Sequence, residues 1–224
     1  MKDISDSVEK KDHSEKMSGK AVYAADCPVD GVLYGKLLHS VKAKAKILEI
    51  RLPDIPDGYF VVDKNDVPGD NNVNIVKDDT PVFARDTVEY IGDAVLMAVG
   101  PDEKETERLL NKIEVVYEEL PPVLDVRSSD TVFFEYSYGK GETDKAFSEA
   151  DKVYVEQFET GYQEQGYLET QGMIAEPYSD RIVIHGSMQC PYYVKGAVER
   201  VLAYRPDQVQ IRQDTTGGGF GGKE

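Results

Sequence analysis

Ala94–Gly100 reads AVLMAVG, an unbroken apolar run of strand length. A strand with one wet face alternates apolar and polar residues, so a run without alternation has to be covered on both faces. Pro101 and Asp102 follow and offer a helix start, and Leu109, Leu110 and Ile113 then supply a helical apolar stripe. Ile113–Leu120 returns to strand formers and closes at Pro121 and Pro122. Strand, helix and strand in that order make a β-α-β unit, and the chain around it must supply two covering layers.

The flanking segments fit that demand. Gly31–Ser40 follows a turn at Pro28, Asp30 and Gly31 and is rich in strand formers; Ala43–Leu52 ends in an apolar–charged alternation. Pro53–Pro81 is dense in Asp, Asn, Gly and Pro, and reads as loop broken by one short strand at Tyr59–Asp63. Residues 20 to about 125 therefore form one compact α/β domain, preceded by a charged, flexible arm over residues 1–17. Residues 126–143 are polar, aromatic and glycine-bearing, as suits a linker. Beyond it the chain predicts a helical turn at Asp144–Asp151 and a strand at Lys152–Thr160 with Val153, Val155 and Phe158 facing inward. A strand at Arg181–Gln189, a helix opened by Pro191 and running to Tyr204, and a last strand at Val209–Gln213 complete the order.

Composition closes off several functions. A formal charge of -16 excludes nucleic acid as a partner, since phosphate binding runs on basic surface. Lys42, Lys44 and Lys46 are the only basic cluster, and a solvated strand face accounts for them. No apolar run approaches the roughly 18 residues that cross a bilayer. The N-terminus has neither the apolar segment nor the cleavage site of a signal peptide, so no membrane partner and a cytoplasmic location are expected. Cys27 and Cys190 belong to no CxxC pair, which predicts two buried or half-buried thiols and no iron–sulfur or zinc site on cysteine spacing.

The most unusual stretch is Gly217–Glu224, with five glycines in eight residues directly after a strand. Glycine lets the backbone turn left-handed and bring N–H groups up to a ligand. Three readings stand at this point. The stretch is a flexible tail, or a phosphate loop of a nucleotide-binding module in which Gly217, Gly222 and Lys223 match GxxxxGK, or a loop that cradles an oxo-bearing cofactor. Against the phosphate loop, Glu224 stands where Ser or Thr would hold magnesium.

The string GGGFGGKE resembles the cofactor loop of the xanthine dehydrogenase and aldehyde oxidase family, the molybdenum hydroxylases. Other blocks match in the same order. KMSGKAVYAADCPVDGVLYGKLLHS and VEYIGDAVLMAVGPDEKETERLLNKIEVVYEELPPVLD resemble the family's a/b hammerhead domain. FETGYQEQGYLETQGMIAEP and SMQCPYYVKGAVERVL resemble the opening of its molybdopterin-binding region. The resemblance runs from about Lys16 onward. It implies a hammerhead-type β-α-β domain over residues 18–125 and the beginning of an α+β molybdopterin-binding domain over residues 144–224, truncated relative to the family, so an α+β/α/β fold overall.

The same resemblance implies hydroxylation of purines or related N-heterocycles at a molybdopterin, with 2Fe-2S and FAD groups on partner subunits. Gln189 matches a glutamine that hydrogen-bonds the molybdenum oxo ligand, without being a direct metal ligand. Gly219, Phe220 and Gly221 match the loop whose backbone and ring approach the centre. Glu224 matches a substrate-orienting glutamate of purine-oxidising members. Gln165 departs from the family pattern, which often has His there. The family's catalytic subunit is several times longer, and its general-base glutamate lies in that further part. The chain is therefore expected to bind no cofactor and show no activity alone, to pair with the remainder of its subunit and with the FAD and iron–sulfur subunits, and to self-associate through any uncovered apolar flank. The competing expectation is a non-catalytic remnant or assembly module.

Overall fold

The computed structural model describes residues 3–74 and 79–224; residues 1–2 of the arm and 75–78 of the Pro53–Pro81 loop lie outside them. The chain folds as two units, Met1–Pro121 together with Gln165–Glu224, and Pro122–Glu164.

In the first unit two antiparallel sheets share one core. One has the order β1 (Tyr34–His39), β5 (Ala94–Gly100), β3 (Phe60–Val62); the other has β4 (Thr87–Val88), β2 (Ala45–Arg51), β6 (Glu114–Glu119). The apolar run lies at the centre of its sheet, and Val95 and Leu96, adjacent in sequence and so on opposite faces, are 2% and 1% exposed. Ala45, Ala84, Val88 and Ile113 pack into the same cluster. Helix α2 (Glu103–Leu110) lies against β1 and β5. Asp102 caps it by accepting the Glu105 N–H at 2.9 Å, and Leu109 and Thr106 are its buried face.

The strand–helix–strand order is present, but β5 and β6 enter different sheets instead of pairing. A parallel β-α-β crossover occurs later, where β8 (Ile182–Gly186) runs through α4 (Pro191–Val201) into β9 (Val209–Gln213). Pro191 opens α4 at its first turn, where its missing N–H leaves no helical bond unmade. β7 (Met173–Pro177) joins β8 antiparallel and completes a third sheet, β7-β8-β9. Neither β7 nor the two-residue β4 was expected from the sequence.

The arm carries a short helix, α1 (His13–Met17), and the Lys16 Nζ donates to the Thr216 carbonyl at 3.0 Å. The three clustered lysines each face a glutamate, Lys42 with Glu119, Lys44 with Glu89 and Lys46 with Glu118, which accounts for the basic face without a partner.

In the second unit, α3 (Thr143–Glu149) matches the expected helical turn. The strand expected at Lys152–Thr160 is not formed: Val153, Val155 and Phe158 are 50%, 89% and 85% exposed. Alternating apolar residues make a strand only when another strand takes up their backbone hydrogen bonds, and no strand among the described residues pairs with this segment.

Candidate functional site

Parallel pairing of β8 and β9 brings their C-terminal ends to one edge of the third sheet, the place where open sheets of this kind collect ligands. β8 runs on through buried Ser187 and Met188 to Gln189, and β9 runs through Asp214 into the glycine stretch. The two meet. Gln189 Oε1 accepts the Gly221 N–H at 2.9 Å and the Lys223 N–H at 3.3 Å, and the Gln189 N–H donates to the Lys223 carbonyl at 2.6 Å. With the amide oxygen committed to two N–H groups, Nε2 is the end of the amide that can donate elsewhere.

The glycines carry the close approach. A side chain at Gly219 would collide with the Gln189 amide, and one at Gly222 with the Tyr167 ring. Gly218 and Gly221 have φ of 104° and 88°, the left-handed region that glycine enters without cost. Phe220 between them also has φ of 52°, and the residue is 75% exposed. A non-glycine residue in that region is held there by its surroundings.

The other side of the loop is fixed by Lys223 and Glu169. The Lys223 ammonium is buried, donating to Glu169 Oε2 at 3.0 Å and Ser187 Oγ at 2.9 Å, with the Tyr167 ring 5.0 Å away. Glu169 Oε2 also accepts the Gly217 N–H at 2.7 Å. Burial raises the Glu169 carboxyl, but the Ser187 hydroxyl, the Gly217 N–H and the Lys223 ammonium outweigh it and hold the group below its ordinary range. Gln171 Nε2 donates to the Gly222 carbonyl at 3.0 Å and to the Tyr167 hydroxyl at 2.5 Å.

Gln189, Gly219, Phe220 and Gly221 are thus brought together at one edge of the sheet, and Glu224 follows them, exposed. Sequence reasoning missed the supporting set, Tyr167, Glu169, Gln171 and Ser187. Only one of the three sequence readings of the loop makes Lys223 a phosphate ligand; in the fold its charge is neutralised by Glu169.

An oxo-bearing cofactor suits this edge. Gly219 lets the backbone come up against the Gln189 amide, whose NH2 offers a neutral donor, and the buried Thr216 hydroxyl, which can also donate, has no hydrogen-bond partner. Buried polar atoms without partners are costly, and they collect where a ligand or water completes them.

Two family comparisons cover nearly the whole chain. Residues 18–121 match the aldehyde oxidase and xanthine dehydrogenase a/b hammerhead domain, and residues 125–224 match the molybdopterin cofactor-binding domain. Among curated proteins, a probable xanthine dehydrogenase subunit of Bacillus subtilis (strain 168) is 29% identical over 93% of this chain and 30% of its own length. The xanthine dehydrogenase/oxidase of Mus musculus is 32% identical over 92% of this chain and 16% of its own. Among solved structures, quinoline 2-oxidoreductase from Pseudomonas putida 86 superposes with a TM-score of 0.78 at 23% identity, over 97% of this chain and 31% of that one. The aldehyde oxidoreductase from Desulfovibrio gigas gives 0.77 at 22% identity, over 94% and 26%. The chain therefore spans less than a third of each of these relatives.

Proposed function

Since the chain belongs to the xanthine dehydrogenase and aldehyde oxidase family of molybdenum hydroxylases, as the hammerhead domain and the opening of the molybdopterin-binding domain, we propose that it serves a xanthine dehydrogenase-type oxidoreductase hydroxylating purines or related N-heterocycles. The observation that carries this reading is Gln189: its oxygen is tied to the Gly221 and Lys223 N–H groups, so its NH2 is the free end at the loop.

When bound, molybdopterin supplies two-electron hydroxylation chemistry. This chain's residues bind and orient. Gln189 Nε2 donates a neutral hydrogen bond to the cofactor's oxo group, holding it without adding charge. The backbone of Gly219 and Gly221 lets the loop close onto the group, and the exposed Phe220 walls the substrate side. The Glu224 carboxyl aligns a ring N–H or ring nitrogen of an N-heterocycle by hydrogen bonding. Lys223, neutralised by Glu169, belongs to the loop's support, which weighs against a nucleotide-binding module.

We assign residues 18–125 to the hammerhead domain, 126–143 to a linker and 144–224 to the molybdopterin-binding part, with residues 1–17 as an arm. The activity requires the remainder of the molybdenum subunit together with FAD and iron–sulfur subunits; the Bacillus subtilis relative is itself named as a subunit. No helix among the described residues is long and apolar enough to cross a membrane, and we place the assembly in the cytoplasm.

The test is purification of the chain with its bound partners from its own host, followed by molybdenum and pterin analysis and a purine oxidation assay. Molybdenum, pterin and purine oxidation are expected in one complex. A complex free of molybdenum and pterin would sink the reading, and a loaded complex that oxidises only aldehydes would correct the substrate class.

A further inference from the structure

Away from the glycine loop, three side chains distant in sequence converge. The Cys27 Sγ, a ring nitrogen of His185 and a carboxylate oxygen of Asp214 all lie within 4.8 Å of one another, and all three residues are partly buried. Strand pairing explains two of them. His185 sits on the central strand β8, opposite Arg212 of β9, and Asp214 is two residues beyond Arg212, on the same face of the sheet. The same logic on the other side places Glu176 of β7 two residues beyond Ile174, the partner of His185. Cys27 arrives from the short turn at Ala24–Asp26, near the start of the hammerhead segment.

His185 therefore has a carboxylate on each nitrogen: Asp214 Oδ2 at 3.0 Å from Nδ1 and Glu176 Oε1 at 3.0 Å from Nε2. A neutral imidazole owns one N–H and can satisfy one of them. If Nε2 donates to Glu176, then Nδ1 and Asp214 are two acceptors facing each other across a gap that only a proton or a cation can fill. Charge favours a positive species in that gap, because Asp26, Glu176 and Asp214 surround the cluster against Arg212, and it is the ligand set that selects a metal. The chemistry of the set is specific: thiolate, imidazole and carboxylate together are the ligands of zinc-class metals, and a histidine whose far nitrogen donates to a carboxylate is the usual outer support of such a site.

We propose that Cys27, His185 Nδ1 and Asp214 form a binding site for a zinc-class divalent metal, with Glu176 as the positioning residue for the histidine and an open fourth position. Tetrahedral nitrogen and oxygen ligands of zinc stand about 3.4 Å apart, given metal–ligand bonds near 2.1 Å. The present 3.0 Å gap between Nδ1 and Asp214 thus opens by a few tenths of an ångström, while the Cys27 sulfur closes in. The bound metal would tie the hammerhead segment to the third sheet. The proposal rests on no role for the glycine loop and holds whether or not the chain serves a molybdenum enzyme.

The experiment is cobalt(II) titration of the full chain under reducing conditions, followed by absorption and then zinc competition. One equivalent of cobalt is expected to bind with a thiolate-to-cobalt charge-transfer band, and zinc is expected to displace it. Cys27→Ser should abolish the band, and Cys190→Ser should leave it intact. Asp214→Asn and His185→Asn should weaken binding by about a hundredfold, and Glu176→Gln by about tenfold. Far-ultraviolet circular dichroism shows which variants fold. The unmutated chain alone suffices to overturn the proposal: no saturable uptake, or uptake without the thiolate band, leaves Cys27, His185 and Asp214 as a hydrogen-bonded cluster and not a metal site. Retention of the band in Cys27→Ser overturns it as well.

Discussion

The Lys223 ammonium lies 3.0 Å from Glu169 Oε2, with the lysine side chain 1% and the glutamate side chain 15% exposed. A charge so well covered is tolerated only while its partner remains, because the loss of one partner leaves the other desolvated and unpaired. Lys223→Met and Glu169→Gln are each expected to destabilise the chain by about 3 kcal/mol in urea unfolding. The double variant Lys223→Met/Glu169→Leu should recover much of that loss, because it removes both charges. Single variants that unfold at the unmutated urea midpoint would show that the pair does not hold the loop.

The same pair sets an acid limit. Glu169 is held below its ordinary value of 4.5 in the folded chain, so the folded state releases its proton more readily than the unfolded state does. The stabilisation it contributes is fully present above that ordinary value and is lost as pH falls through the lower folded value. The urea midpoint should therefore fall as pH drops below about 4.5, and the fall should be shallower in Glu169→Gln. Equal slopes in the two proteins would assign the acid sensitivity to other carboxylates.

How much of this was legible beforehand differed by residue. Val209–Gln213 and Ala94–Gly100 were readable because composition and period agreed with what each strand packs against. Met173–Pro177 was not, since a five-residue segment ending in proline becomes a strand only through its partner β8. Val153, Val155 and Phe158 show the reverse: the alternation was there and the partner was not. At the site, Gln189 and the glycines announced themselves through the family blocks. Lys223 did not, because its meaning depends on Glu169, 54 residues earlier, which only the fold brings to it. The Cys27, His185 and Asp214 cluster escaped for the same reason, as its ligands share no local spacing.

Gly219 and Gly221 separate two reasons for glycine. At Gly219 a methyl group would strike the Gln189 amide, whereas at Gly221 it would meet open space but sit at a φ of 88°. Gly221→Ala is expected to cost about 1–2 kcal/mol, the ordinary left-handed penalty. Gly219→Ala should cost more and should also disturb the Gln189 side-chain amide resonances in NMR. Undisturbed Gln189 signals in Gly219→Ala would mean that the loop does not close on the amide as described.

Leu96 and Val155 test the division between packed and unpacked apolar residues. Leu96 is 1% exposed at the centre of the shared core, so Leu96→Ala leaves a cavity and should cost about 3 kcal/mol in chemical denaturation. Val155 is 89% exposed, and with no packing to lose Val155→Ala should change stability by less than about 0.5 kcal/mol. The comparison is most telling when the chain is bound to its partners. If Val155→Ala is neutral in the free chain but weakens the assembled complex, the exposed valines and Phe158 find their covering surface on another subunit. If it destabilises the free chain as strongly as Leu96→Ala does, Lys152–Thr160 is packed in solution and the strand read from its alternation is restored.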